Sequence, residues 1–176
     1  MIITLYCNPF FPGCKEKFYE KFGLDNNLPT VLYVGRVDPE KNVGAVIDAF
    51  LKANLNNAQL AIVGDGVDVA RLKKKYGEHK SVHFLGKIVP PELYDVYRMG
   101  DLFATASEIE TQGIVLIEAA ATGLPLIAVD AGAVSEVCVS GENGVLCRPG
   151  DVNEMAMAIR TGHKDYSQPE TRTSAV

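Results

Sequence analysis

Short apolar runs rich in valine, isoleucine and leucine alternate along the chain with longer stretches whose apolar residues recur every three or four positions. The runs at 2–6, 31–35, 59–64, 82–85, 101–105, 125–129 and 144–147 are nearly continuous. Continuous rather than alternating runs are the pattern of strands buried on both faces of a parallel sheet. Between them the spacing predicts helices over 42–54, 67–76, 91–98, 112–122, 132–138 and 151–160. In the first, Val43, Val46, Ile47, Phe50 and Leu51 make one apolar face. Asp151 stands at the N-cap of the last, with Glu154 in the capping-box position, and Gly123 followed by Leu124 and Pro125 closes the helix over 112–122. Strand and helix in turn predict an α/β fold: a doubly wound, Rossmann-like parallel sheet of about six or seven strands with helices on both faces. The chain divides into a lead-in strand and linker (1–29), the α/β domain (30–160) and a polar tail (161–176) that has no periodicity and is expected to be mobile.

Composition narrows the function. The chain has 176 residues, 47% hydrophobic and 22% charged, the balance of one globular domain. A net charge of −5 excludes nucleic acid as the main partner, while leaving room for a local basic pocket. The cysteines at 7, 14, 138 and 147 form no C-x-x-C pair and have no histidine at zinc-ligand spacing. They read as reduced cysteines of an intracellular protein, and no metal site is expected. The start MIITLYCNPF lacks a basic n-region, and no apolar run approaches the ~20 residues of a membrane span. A cytoplasmic location is the default expectation.

In such a sheet the binding crevice lies at the carboxyl ends of the strands, so the loops there carry the candidate chemistry. After the run at 31–35, Gly35 lets the backbone turn sharply and a ligand approach. Arg36 and Lys41 follow just before a helix, where two cations and free N–H groups suit a diphosphate. The plainer alternative is two solvated charges paired with Asp38 or Glu40. Gly64 and Gly66 begin a glycine fingerprint that Val69 interrupts, and the acidic residue it needs is missing from SVHFLG. Taken alone, they read better as a glycine turn that simply brings a strand into a helix. The segment from Ser107 to Glu118 is the richest. Gly113, Ile114 and Val115 would offer the unpaired N–H groups of a helix start. Glu110 and Glu118 flank them, and a carboxylate grips vicinal hydroxyls well. A helix-dipole role for one and a solvated face for the other compete. The second is hard to hold for Glu118 among Ile114, Val115, Ile117 and Ala119–Ala121.

The ordered series GRVDPEK, IVGDG, FLG, SEIETQGIVLIEAAATGLP, GAVSEV, GENGVL and PGD, spanning about residues 30–160, resembles the C-terminal domain of glycosyltransferase family 4. That resemblance implies one half of a GT-B fold, two Rossmann-like domains with the active site between them, and retention of anomeric configuration without a metal on an Asp-x-Asp motif. It implies that Arg36 and Lys41 hold the donor diphosphate, that Glu110 contacts the transferred sugar and that Glu118 binds the ribose. By the same resemblance the amides of Gly113, Ile114 and Val115 meet the sugar or distal phosphate. Gly86, Lys87 and Ile88 border the base, and Gly35, Gly64 and Gly66 line the nucleotide crevice. The partner implied is a nucleoside-diphosphate sugar, a UDP-sugar first, with no further cofactor. The loop IETQG looks most like enzymes that glucosylate diacylglycerol, which would leave room for peripheral membrane association of the full enzyme.

The family carries an N-terminal acceptor domain that nothing before residue 30 resembles, and its crossing C-terminal helix is not recognisable after Arg160. The chain therefore reads as a fragment that binds UDP and transfers little sugar alone. A donor-binding subunit of a split glycosyltransferase would share the same motifs. A GT-B nucleotide-sugar epimerase would need a cleft histidine, and His83 lies mid-strand. An NAD(P)-binding module rests on Gly64 and Gly66 alone.

Overall fold

The computed structural model describes residues 19–109 and 113–166. Six parallel strands form one sheet: β1 (Thr30–Val34), β2 (Gln59–Val63), β3 (Val82–Gly86), β4 (Leu102–Thr105), β5 (Leu126–Val129) and β6 (Gly144–Cys147). Five helices connect or follow them: α1 (Val43–Ala53), α2 (Val69–Tyr76), α3 (Glu92–Met99), α4 (Ile114–Ala121) and α5 (Val152–Tyr166). The spatial order is β3-β2-β1-β4-β5-β6. The chain winds outward from β1 to β3, then returns to lay β4 on the other side of β1. That reversal opens a crevice above the carboxyl ends of β1 and β4.

The continuous apolar runs are explained by burial on both faces. Val31 and Tyr33 of β1 enter one core, with Val46, Ile47 and Phe50 of α1 and Met155 and Ile159 of α5. Leu32 and Val34 enter the other, with Val96 and Tyr97 of α3 and Leu116 and Ala119 of α4. Every residue of β1, β2, β4 and β5 is buried. At ~25 cal/mol per Å² of apolar surface, these two cores carry most of the folding drive.

The run at 2–6, with Cys7 and Cys14, lies outside the described residues. Two expectations change. The segment 132–138 forms no α-helix but a 3-10 turn over Gly132–Glu136, in which only Val134 is buried. The last helix does not stop at 160 but runs to Tyr166. Gly162 is the point where α5 passes over the sheet. A Cβ there would lie 3.2 Å from Leu102 Cδ1. Thr161 also stays in the helix, its hydroxyl donating to the Met157 carbonyl at 3.0 Å.

Part of the lead-in segment is docked rather than linking. Tyr19 and Leu24 are buried in the second core, and the Tyr19 hydroxyl donates to the Met99 carbonyl at 3.0 Å. Gln59 exchanges hydrogen bonds with the backbone of Asp25, its amide donating at 2.7 Å and its carbonyl oxygen accepting at 3.1 Å.

Candidate functional site

The loops after β1 and β2 are laced together. Val37 N–H donates to the Asp65 carbonyl at 2.9 Å and Asp68 N–H to the Val37 carbonyl at 3.0 Å. Asp38 Oδ1 accepts from Val67 N–H at 3.0 Å. This closeness demands glycine. A Cβ on Gly64 would lie 1.7 Å from the Gly35 carbonyl oxygen, and one on Gly66 would lie 2.3 Å from the Val37 carbonyl oxygen. Gly35 and Gly64 also adopt φ of +154° and +142°, which side chains disfavour.

Between these loops and the end of β3 lies a cavity of about 460 Å³. Gly35, Arg36, Gly64, Gly66, Lys87 and Ile88 all line it, together with Val34, Val63, Asp65 and Leu93. Residues from three separate loops, each singled out from the sequence, thus line one cavity. The volume suits a small ligand. Its lining includes the cations Arg36 and Lys87, the glycine backbone, and the apolar Val34, Ile88 and Leu93.

Arg36 does not stand alone. Its guanidinium pairs with Asp38 and with Glu40, both at 2.6 Å, while its side chain is 66% exposed. This is the pairing that the plainer sequence alternative described. Such exposed pairs contribute only about 0.2–1 kcal/mol each, so a phosphate could displace one cheaply. Lys41 lies in the 3-10 turn Pro39–Lys41 and reaches across the crevice to the β4 side. Its Nζ donates to Ser107 Oγ at 3.3 Å and to the Ile109 carbonyl at 3.1 Å.

On that side, Gly113 starts α4 in the left-handed conformation, φ +56°. Its carbonyl accepts from the N–H groups of Leu116 and Ile117, both at 2.9 Å. Among the described residues no backbone carbonyl accepts from the N–H groups of Gly113, Ile114 or Val115. They form the positive end of the helix. Glu118, one turn on, is half-buried. Its Oε2 accepts the hydroxyl of Tyr97 at 2.7 Å. Burial foremost, then the Glu118 bond and charge, push the Tyr97 phenol far up in pKa, so it remains a donor. Glu110 falls outside the described residues.

The site therefore has two parts. The cavity gathers the β1, β2 and β3 loops, and the β4 side carries Gly113, Ile114, Val115 and Glu118. Lys41 joins them. Ser107, which is buried, and Tyr97 belong to the site without having been given roles from the sequence. The serine was visible at the head of its loop. Nothing in the spacing of α3 signalled that Tyr97 would meet α4. His83 lies within β3, where burial lowers its pKa, away from the strand end that an epimerase would use. The G-x-G turn follows β2 rather than the central β1, which leaves the dinucleotide reading weaker than it stood. Among the described residues no group of three His, Cys, Asp or Glu is placed to hold a metal ion, and no helix is long and apolar enough to cross a membrane.

Comparison with known proteins gives a consistent picture. The family described as glycosyl transferases group 1 matches residues 15–175. The sulfoquinovosyl transferase SQD2 of Arabidopsis thaliana is 35% identical over 136 residues, covering 76% of this chain and 26% of that protein. The alpha-monoglucosyldiacylglycerol synthase of Acholeplasma laidlawii is 30% identical over 131 residues, covering 72% of this chain and 33% of the synthase. Among solved structures, Anabaena HepE in complex with UDP-glucose superposes with a TM-score of 0.77 at 28% identity, over 90% of this chain and 45% of HepE. The chain thus spans less than half the length of these relatives.

Proposed function

This chain belongs to the glycosyl transferases group 1 family, and from that premise we propose that it supplies the donor-binding half of a retaining glycosyltransferase. Its donor is a nucleoside-diphosphate hexose, UDP-glucose-like, and its product a glycoside of an acceptor hydroxyl. The observation that carries this reading is the span of Lys41. It belongs to the loop whose Gly35 and Arg36 line the cavity, and its Nζ meets the β4 loop, which suits a diphosphate linking a base in the cavity to a sugar near α4. The diphosphate is the leaving group, and charge grows on it as the anomeric bond breaks. Lys41 and Arg36 stabilise that charge, and the N–H groups at the start of α4 add to it. Arg36 exchanges Glu40 for phosphate as the donor enters. Glu118 accepts the ribose hydroxyls, and Glu110 contacts hydroxyls of the transferred sugar. The acceptor side comes from the sequence that the longer relatives carry beyond the matched segment. This polypeptide alone then binds donor but transfers little sugar, because only a second wall would position an acceptor and exclude water.

Calorimetric titration with UDP, UDP-glucose, GDP, ADP and NAD tests the reading. Selective binding of UDP and UDP-glucose is expected. Lys41→Ala and Glu118→Ala should each weaken it by about tenfold or more, the loss of one charged contact. Arg36→Ala should cost less, since the free arginine gives up an existing pair. Preferential binding of NAD, or indifference to all three substitutions, would overturn it.

A further inference from the structure

Tyr97 lies in the last turns of α3 with 1% of its surface exposed, in the same core as Leu32, Val34 and Leu116. Its ring sits against Phe103, with centroids 6.3 Å apart. A phenylalanine would satisfy every apolar neighbour. The hydroxyl is tolerated in that core because its tip meets Glu118 Oε2 at 2.7 Å. The residue that this phenol holds is the carboxylate that the proposed function assigns to the ribose. We propose that Tyr97 is a positioning residue, which clamps one oxygen of Glu118 and leaves the other for the vicinal hydroxyls of a ribose. The inference rests on the ribose role of Glu118.

The physical reason is pre-organisation. A glutamate has three side-chain torsions, and freezing them when a ligand arrives reduces affinity. A buried phenol makes a rigid anchor, because its ring is fixed by packing and its proton stays in place: burial and the neighbouring carboxylate both oppose ionisation. The bond also joins α3 to α4, so the carboxylate is referenced to the sheet through two helices rather than one.

The experiment measures the affinity of the full chain for UDP and for 2′-deoxy-UDP in wild type, Tyr97→Phe, Glu118→Ala and the double variant. Tyr97→Phe removes one oxygen and keeps the ring, and Glu118 is only half-buried, so the fold is retained. Wild type should prefer UDP by about tenfold, the size of one hydrogen bond to a charged group. Glu118→Ala should erase that preference. Tyr97→Phe should reduce it to about two- to threefold, and should have no further effect when Glu118 is already alanine. A Tyr97→Phe variant with the full wild-type preference, or an equal affinity loss with and without Glu118, overturns the positioning role while leaving the ribose role standing. A preference that survives Glu118→Ala, or no binding of UDP by wild type, overturns the ribose role and the inference with it.

Discussion

A methyl group on Gly64 would lie 1.7 Å from the backbone oxygen of Gly35, and no side-chain rearrangement can relieve a clash between two main chains. Gly86 also has positive φ, +74°, but open space where its Cβ would be. The two glycines therefore separate crowding from backbone preference. Gly64→Ala should lower unfolding stability by more than about 3 kcal/mol and abolish nucleotide binding, since the loops after β1 and β2 must part. Gly86→Ala should cost only about 1 kcal/mol. Chemical denaturation of both variants checks this, and equal losses would mean that the loops do not approach as closely as described. Lys41 and Arg36 differ in a similar way. Both are cations of one loop, but Arg36 is answered by two carboxylates of its own loop, whereas Lys41 is held by oxygens from across the crevice.

At the scale of the element, helix ends do much of the positioning. Helix α4 closes in the six-to-one and five-to-two pattern of a glycine cap. Leu124 N–H donates to the Ala119 carbonyl at 3.1 Å and Gly123 N–H to Ala120 at 2.9 Å, with Gly123 at φ +77°. Helix α5 opens on Asp151, whose Oδ1 accepts Glu154 N–H at 2.9 Å. The capping box is only half made: Glu154 turns outward to the N–H and guanidinium of Arg148 at 2.8 and 3.1 Å. The Glu154 backbone hydrogen bond, aided by the charge of Arg148, lowers the Asp151 pKa. A carboxylate with a lowered folded pKa stabilises above its unfolded value near 3.9 and loses that contribution as pH falls through the folded one. Asp151→Asn, which keeps a capping oxygen without the charge, should therefore melt a few degrees below wild type at pH 7. The gap should close as pH falls below 4. A gap that persists undiminished at pH 2–3 would assign the loss to something other than ionisation.

For the whole molecule, the sheet order sets the site. Placing β4 beside β1 brings the β1 loop within reach of the loop before α4, and Lys41 can then touch both. A ligand held by loops from four strands ties the two halves of the sheet together, and binding to the folded state alone raises stability by mass action. UDP at ~100 times its dissociation constant should add about 2.7 kcal/mol and raise the melting temperature by several degrees, with NAD at equal concentration giving none. A scanning-calorimetry comparison decides it. Equal shifts with both nucleotides would point to nonspecific binding.

The sequence by itself determined the six strands and the five helices α1–α5, and overcalled only the 3-10 turn at 132–136, because burial on two faces leaves continuous apolar runs and amphipathic helices leave a 3.6-residue period. It also marked Gly35, Gly64 and Gly66 as positions where the chain turns, and Arg36 as a charge of the loop that lines the cavity with them. Only the tertiary structure decided what these residues do to one another. Gly64 and Gly66 are glycines because a distant loop presses on them, and Gly162 continues a helix because Leu102 lies beneath it. Tyr97 joins the site because α3 packs beside α4. Local periodicity encodes which face of an element is apolar. It carries no record of which neighbour that face will meet, and contacts between residues far apart in the chain are made only when the sheet assembles.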